Sequence, residues 1–144
     1  MAENPKLPRN LTLEVVTPEG LLLREEVDEV IAPGELGYFG VLPGHTPLLA
    51  LVGAGELWYR QGQAKHYLAL AFGFAEVQPD RVTILAQIAE RADEIDIARA
   101  ELAKKRAEER MTRPTVDMDF ERARIALLKA LARLQVASRA RIRS

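Results

Sequence analysis

The stretch RVTILAQIAERADEIDIARAELAKKRAEERM, residues 81–111, divides the chain into two kinds of structure. Its opening, Arg81 to Ala86, is β-branched, leucine-bearing and short, the pattern of a strand. After Ala89 the vocabulary changes to Ala, Glu, Lys and Arg, and Asp93 stands where an N-cap is expected. A helix is therefore predicted over Glu94 to Met111, with Ile95, Ala98, Leu102 and Met111 sharing one face.

Downstream, Thr112-Arg113-Pro114-Thr115 interrupts that helix, because proline lacks an N–H and restricts the residue before it. A second helix is predicted from an N-cap at Asp119, carrying Phe120, Ala123, Leu127, Ala130, Leu131 and Leu134 at intervals of three and four. Two amphipathic helices joined by a short linker fold back as a hairpin. Arg139 to Ser144 reads as a frayed basic end.

Upstream, the first ninety residues read as strands with frequent turn signals. Leu11 to Val16, Leu21 to Glu25, Val27 to Ala32, Leu48 to Leu51, Glu56 to Gln61, Lys65 to Leu70, Gly73 to Val77 and Arg81 to Ala86 are separated by glycines and by Thr17-Pro18-Glu19-Gly20, Pro43-Gly44 and Pro79-Asp80. No helix candidate precedes residue 90, which excludes a parallel sheet with crossover helices and favours an antiparallel sandwich or flattened barrel. The expected fold class is α+β, with a strand-built unit over residues 1–89 and a helical pair over 90–144.

Composition narrows the chemistry. A chain of 144 residues with 48% hydrophobic content supports one ordinary core, or one small core with an appendage. No apolar run approaches the ~20 residues that span a bilayer, and Met1 to Asn10 lacks the apolar stretch of a signal peptide, so a soluble cytosolic chain without membrane insertion is expected. Zero cysteines exclude disulfides, thiolate metal sites and cysteine nucleophiles; two histidines in different contexts, His45 and His66, give no metal-binding pattern. Charge is uneven: residues 1–93 carry 7 basic against 13 acidic side chains, and residues 94–144 carry 13 against 8. An acidic body bearing a basic tail points to different partners for the two parts, and equally to ordinary solvated helices.

The run Gly34-Glu35-Leu36-Gly37-Tyr38-Phe39-Gly40-Val41-Leu42-Pro43-Gly44-His45-Thr46-Pro47-Leu48-Leu49 resembles the signature of the epsilon subunits of bacterial F-type ATP synthases. It is joined in order by Gly73-Phe74-Ala75-Glu76-Val77, Val82 to Ala86, Ala92-Asp93-Glu94-Ile95-Asp96 with Ala98-Arg99-Ala100, and Ala130 to Val136, so the resemblance covers nearly the whole chain. It implies a β-sandwich of about ten strands followed by a two-helix hairpin. It also implies a non-catalytic rotor subunit of the central stalk, with no active site of its own and no cofactor required. Its implied place is peripheral, on the cytoplasmic face of the bacterial inner membrane, with the gamma subunit, the c-ring and the alpha/beta catalytic head as partners.

By the same resemblance, the loop tip containing Tyr38 and Phe39, with His45 nearby, faces the polar loops of the c-ring. Many relatives carry an acidic residue where Tyr38 stands, which makes this contact more aromatic than ionic. The four glycines of the loop also have a plain role in tight turns and close strand crossing. The loop lacks the Lys-Ser/Thr of a phosphate cradle and opens no helix.

The resemblance further implies that the helices extend to block rotation in the hydrolysis direction. Laid end to end, residues 94–138 reach ~65 Å, against ~28 Å for the folded hairpin. Lys104, Lys105, Arg106, Arg110 and Arg113 form the basic stretch that would meet an acidic surface on the head. Some relatives bind ATP in the folded hairpin through Ile-Asp-x-x-Arg-Ala, matched by Ile95, Asp96, Arg99 and Ala100, with Glu90, Arg106 and Arg133 at the accompanying positions. Lys129 replaces an arginine found in strong binders and lacks its planar bidentate grip on phosphate, so any regulatory ATP binding is expected to be weak. The same residues read, without a ligand, as an Asp96–Arg99 pair one helical turn apart and solvated basic positions.

Two rival readings fare worse. A nucleic-acid-binding module would need aromatic residues in its basic tail, which holds only Phe120 and is diluted by Glu101, Glu108, Glu109 and Glu121. A small hydrolase built on His45 or His66 would need a nucleophile motif such as Gly-x-Ser-x-Gly, which is absent.

Overall fold

A computed structural model describes residues 10–113 and 119–143, with side chains through Arg139. Seven strands, β1 (Leu11–Thr17), β2 (Gly20–Val27), β3 (Glu29–Gly34), β4 (Gly37–Val41), β5 (Leu48–Gln61), β6 (Ala64–Gln78) and β7 (Arg81–Arg91), precede helices α1 (Ile97–Thr112) and α2 (Phe120–Arg143). This is the expected α+β architecture of a strand-built body followed by two helices. The anticipated break at Pro114-Thr115 and the chain ends lie outside the described residues.

The strands form one hydrogen-bonded sheet in the order β2-β1-β7-β6-β5-β3-β4. Alternate residues of every strand point to a single interior: Leu11, Leu13 and Val15 of β1 meet Leu57 and Tyr59 of β5, Leu68 and Leu70 of β6, and Val82 and Ile84 of β7 in one continuous core. The sheet folds over on itself, so β2 also packs against β5 across that core.

Two details differ from the sequence reading. The strands number seven, against the about ten that the resemblance implies: of the eight segments read from the sequence, those expected at 48–51 and 56–61 are one strand, as are those at 65–70 and 73–77, and β4 adds one where a glycine-rich loop was expected. Each long strand bends instead of ending. β6 turns at Phe72 (φ 60°) and Gly73 (φ 143°), where the pairing with β5 and β7 skips a residue. Second, the sheet is mixed: β1 runs parallel to β7, while every other pair is antiparallel. The whole body serves as the crossover between these two strands, which no local signal reveals.

The helices attach through α2. It packs on β5, on β6 and on the turn at Ala92–Glu94, whereas the substantial contacts of α1 are with α2 alone. The predicted inner face of α1 is also shifted. Its buried residues are Ala100 and Ala107, seven apart, whereas Ala98 and Leu102 are exposed. On α2, Ala123 and Ala130 are buried at the same spacing, and Val136 and Ala137 pack with Ala69 and Ile95 in a second small core. Alanine seams let two helices approach closely but bury little apolar area per residue.

Candidate functional site

The chain leaves β7 through Glu90 and Arg91, makes one 3-10 turn at Ala92–Glu94, and stays extended at Ile95 (φ −77°, ψ 124°) before α1 begins. This extension displaces the N-cap from the expected Asp93 to Asp96, whose Oδ1 accepts the Arg99 N–H at 3.1 Å. The cause is Ile95: its side chain inserts beside Ala69, Val136 and Ala137, and a helix begun at Glu94 would carry it elsewhere. At the second helix the sequence reading holds, since Asp119 Oδ1 accepts the Arg122 N–H at 3.1 Å. Replacing Asp96 with alanine is expected to cost α1 about 1 kcal/mol, seen as faster amide exchange in its first turn.

Between the end of β7, the start of α1 and the middle of α2 lies a cleft of about 570 Å³. Its charged lining comprises Glu90, Glu94 and Asp96 with Arg99, Arg106 and Arg133. Arg133 donates from Nε and Nη2 to Glu90 Oε1, at 3.0 and 2.7 Å, joining α2 to β7 at a half-buried position. Five of the seven residues anticipated for nucleotide therefore come together here. Ile95 packs beneath the cleft in the second core, and Lys129 lies off its wall, with Nζ 5.9 Å from the Phe72 ring.

A second clasp was not foreseen. Glu56, almost wholly buried on β5, accepts from Arg139 Nε and Nη2, both at 3.1 Å, and the Arg139 guanidinium lies 5.0 Å from the Tyr67 ring. The hydrogen bond and charge of Glu56 push the Arg139 pKa above its ordinary value. Burial likewise raises the Tyr59 phenol above its usual range; the Glu25 charge adds to this and Arg91 opposes it. The one available hint to the clasp was a lone acid inside the apolar run Leu48 to Leu57.

The basic stretch lies along α1. Arg106, Arg110 and Arg113, spaced four and three, share one face, and Arg106 also lines the cleft. Lys105, Arg110 and Arg113 are exposed, and Lys104 stands 3.9 Å from Glu108 one turn away.

In the glycine-rich hairpin the tip is Glu35-Leu36, with Leu36 fully exposed; Tyr38 and Phe39 follow it on β4. Tyr38 is partly exposed, and its hydroxyl accepts the Glu56 N–H at 3.1 Å. Gly55 permits this approach, since a Cβ there would stand 2.8 Å from both the Tyr38 oxygen and Pro33 Cβ. Phe39 packs against the main core. His45 sits in a turn tied down by Gly44 N–H to Pro79 O at 2.8 Å, with its Nδ1 2.6 Å from Thr46 O. His66 stacks on Tyr59 at 5.0 Å between ring centres.

The outer sheet surface carries a feature that strand register alone creates. Leu51 pairs with Phe74, Phe74 with Leu85, Leu85 with Val16, and Val16 with Leu21, so five apolar side chains form a row across β5, β6, β7, β1 and β2. Leu51, Phe74, Leu85 and Leu21 are each about half exposed. The neighbouring row starts at the exposed Leu49 and is otherwise polar, with Glu76, Thr83 and the Glu14–Arg24 ion pair at 3.0 Å.

Comparison with known proteins covers both parts of the chain. The family model for the ATP synthase delta/epsilon chain beta-sandwich domain matches residues 10–92, and that for the long alpha-helix domain of the same chain matches 93–138. The chain is 49% identical over 134 residues to ATP synthase epsilon chain 2 of Syntrophotalea carbinolica, covering 92% of this chain and 97% of the relative. It is 50% identical over 133 residues to the ATP synthase epsilon chain of Syntrophobacter fumaroxidans, covering 92% and 99%. A chain of the Euglena gracilis mitochondrial ATP synthase, seen in an assembly of OSCP, F1 and c-ring, has the same fold, with TM-score 0.81, 23% identity, and 96% and 87% of the two chains covered.

Proposed function

Because the chain belongs to the ATP synthase delta/epsilon family, as an epsilon chain, we propose that it is a non-catalytic rotor subunit that joins the central stalk to the membrane c-ring and restrains ATP hydrolysis through its helices. Its place in this reading is peripheral, on the cytoplasmic face of a bacterial inner membrane. The observation that carries the restraint is the attachment of the hairpin. One helix chiefly holds it to the body, through a small apolar patch and two ion pairs, while Lys105, Arg110 and Arg113 of the other are exposed. An element held this lightly lies within a few kcal/mol of an undocked state.

Stalk attachment falls to the rigid body. The row Leu21, Val16, Leu85, Phe74 and Leu51 offers an apolar strip edged by charge, suited to the gamma subunit, and Leu36 with Tyr38 offers a protruding tip for the c-ring loops. Replacing Phe74 and Leu85 together with aspartate is expected to weaken co-purification with gamma by more than about tenfold, with the body still folded, because both side chains already face solvent. Undiminished binding would remove gamma from this face.

The cleft supports a second reading, weak regulatory ATP. Three guanidinium groups converge there, favouring phosphate, but three carboxylates offset them and Lys129 does not contribute. Bound ATP would span β7, α1 and α2 and so favour the docked hairpin. At five times its Kd, ATP is expected to stabilise the isolated chain by about 1 kcal/mol, and Arg133→Ala to abolish the effect. No thermal shift at millimolar ATP would end the nucleotide reading.

A further inference from the structure

We propose that Glu56 and Arg139 form the latch that sets how long the hairpin stays docked, and that Tyr38 is the positioning residue that holds the latch carboxylate in place. The functional meaning of the latch rests on the reading of the hairpin as a movable restraint; its existence does not. Glu56 is the one charged residue with a buried side chain among the described residues, and it lies under the C-terminal part of α2. Arg139 grips both carboxylate oxygens in a planar fork, the geometry that gives arginine pairs directional strength. Docking buries this carboxylate and undocking exposes it to water. Removing the arginine therefore penalises only the docked state, where a buried charge loses its partner.

Tyr38 enters through the backbone. β3 and β5 pair regularly at Ile31 with Trp58 and again at Gly34 with Val52, but the register breaks between these points. The Glu56 N–H falls in that gap, and the Tyr38 hydroxyl accepts it. One residue thus has its backbone braced from the glycine-rich hairpin and its side chain clasped from α2. Tyr38, on β4, and Arg139, on α2, are far apart in sequence and are linked through Glu56, so whatever displaces the Tyr38 edge loosens the latch.

The chain contains no cysteine, so a single engineered thiol can report on docking. Ala137 is buried between α2 and the body, whereas Ala75 is buried in the main core. The alkylation rate of Ala137→Cys in the full-length chain measures undocking, and that of Ala75→Cys measures opening of the body. Arg139→Gln and Glu56→Gln are each expected to speed labelling at 137 by about tenfold, with the rate at 75 unchanged and the double substitution no faster than either alone. Arg139→Lys should recover part of the protection, keeping the charge without the fork. Tyr38→Phe should speed labelling at 137 about two- to threefold, and should add nothing once Glu56 is glutamine.

An unchanged rate in Arg139→Gln would overturn the latch. A Tyr38→Phe effect that persists in full beside Glu56→Gln, or that accelerates labelling at 75 equally, would overturn the positioning role. Hydrolysis by the assembled enzyme is a separate readout, so failure of the restraint reading would leave these labelling results standing.

Discussion

Ending the chain at Asp93 is expected to raise ATP hydrolysis by the reassembled enzyme about fivefold or more, with assembly preserved. The body should tolerate the loss. Its main core draws on β1 to β7 alone, with no residue from either helix, and the helices cover a patch that includes Glu56, Tyr67, Ala69, Phe72 and Glu90. The row Leu51, Phe74 and Leu85 and the tip at Leu36 lie on the body, so the proposed attachment surfaces are expected to survive the truncation. What is lost is the basic face of α1 and the alanine-seamed hairpin that presents it. Single solvated ion pairs contribute about 0 to 1 kcal/mol, so the proposed restraint would need several acting together, and removal of the whole element is the decisive comparison. Steady-state ATPase assays of enzyme reassembled with full-length or shortened chain would read the effect. Equal rates in a fully assembled complex would sink the restraint, leaving only the stalk-joining role.

The largest stability effect is expected at Gly73. A Cβ at this position would lie 1.8 Å from the Leu85 carbonyl oxygen and 2.9 Å from its carbonyl carbon, both backbone atoms of the neighbouring strand that no side-chain rotation can move. Its φ of 143° is also outside the range that an L side chain readily adopts. Gly73→Ala must therefore push β7 away from β6 or straighten the bend, and either change disturbs Ala75, Ile84 and Ala86 in the core. A loss of about 3 to 5 kcal/mol is expected, a large share of the ~5 to 15 kcal/mol that holds an ordinary domain folded. Gly62→Ala is the control. It too has a positive φ, 62°, but nothing lies within 4 Å of the added carbon, so about 1 kcal/mol is expected. Urea unfolding of the two variants should separate steric exclusion from backbone conformation; similar small losses would show that the strands yield.

Part of the candidate site was legible in advance. The motif around Ile95, Asp96 and Arg99, with Glu90, Arg106 and Arg133, pointed to one place, and the structure gathers five of the seven residues around a single cleft. Ile95 departed because its burial beside Val136 outweighed the helical start that the local sequence favours. Lys129 departed because the rotation of α2 on the sheet turns it toward Phe72. Neither outcome could be read locally, since each depends on how α2 seats against β6.

Short-range chemistry was enough to divide the chain near residue 90 into strands and helices, to place a cap at Asp119, and to separate an acidic body from a basic tail, because alternation, helical spacing and capping act over two to seven residues. The tertiary structure decided the rest: bends that merge four expected segments into two long strands, the parallel pairing of β1 with β7, the apolar row across five strands, and the clasps of Glu90 with Arg133 and Glu56 with Arg139. Those last partners lie 43 and 83 residues apart, so their meeting is set by strand register and helix seating, which exist only once the chain has packed.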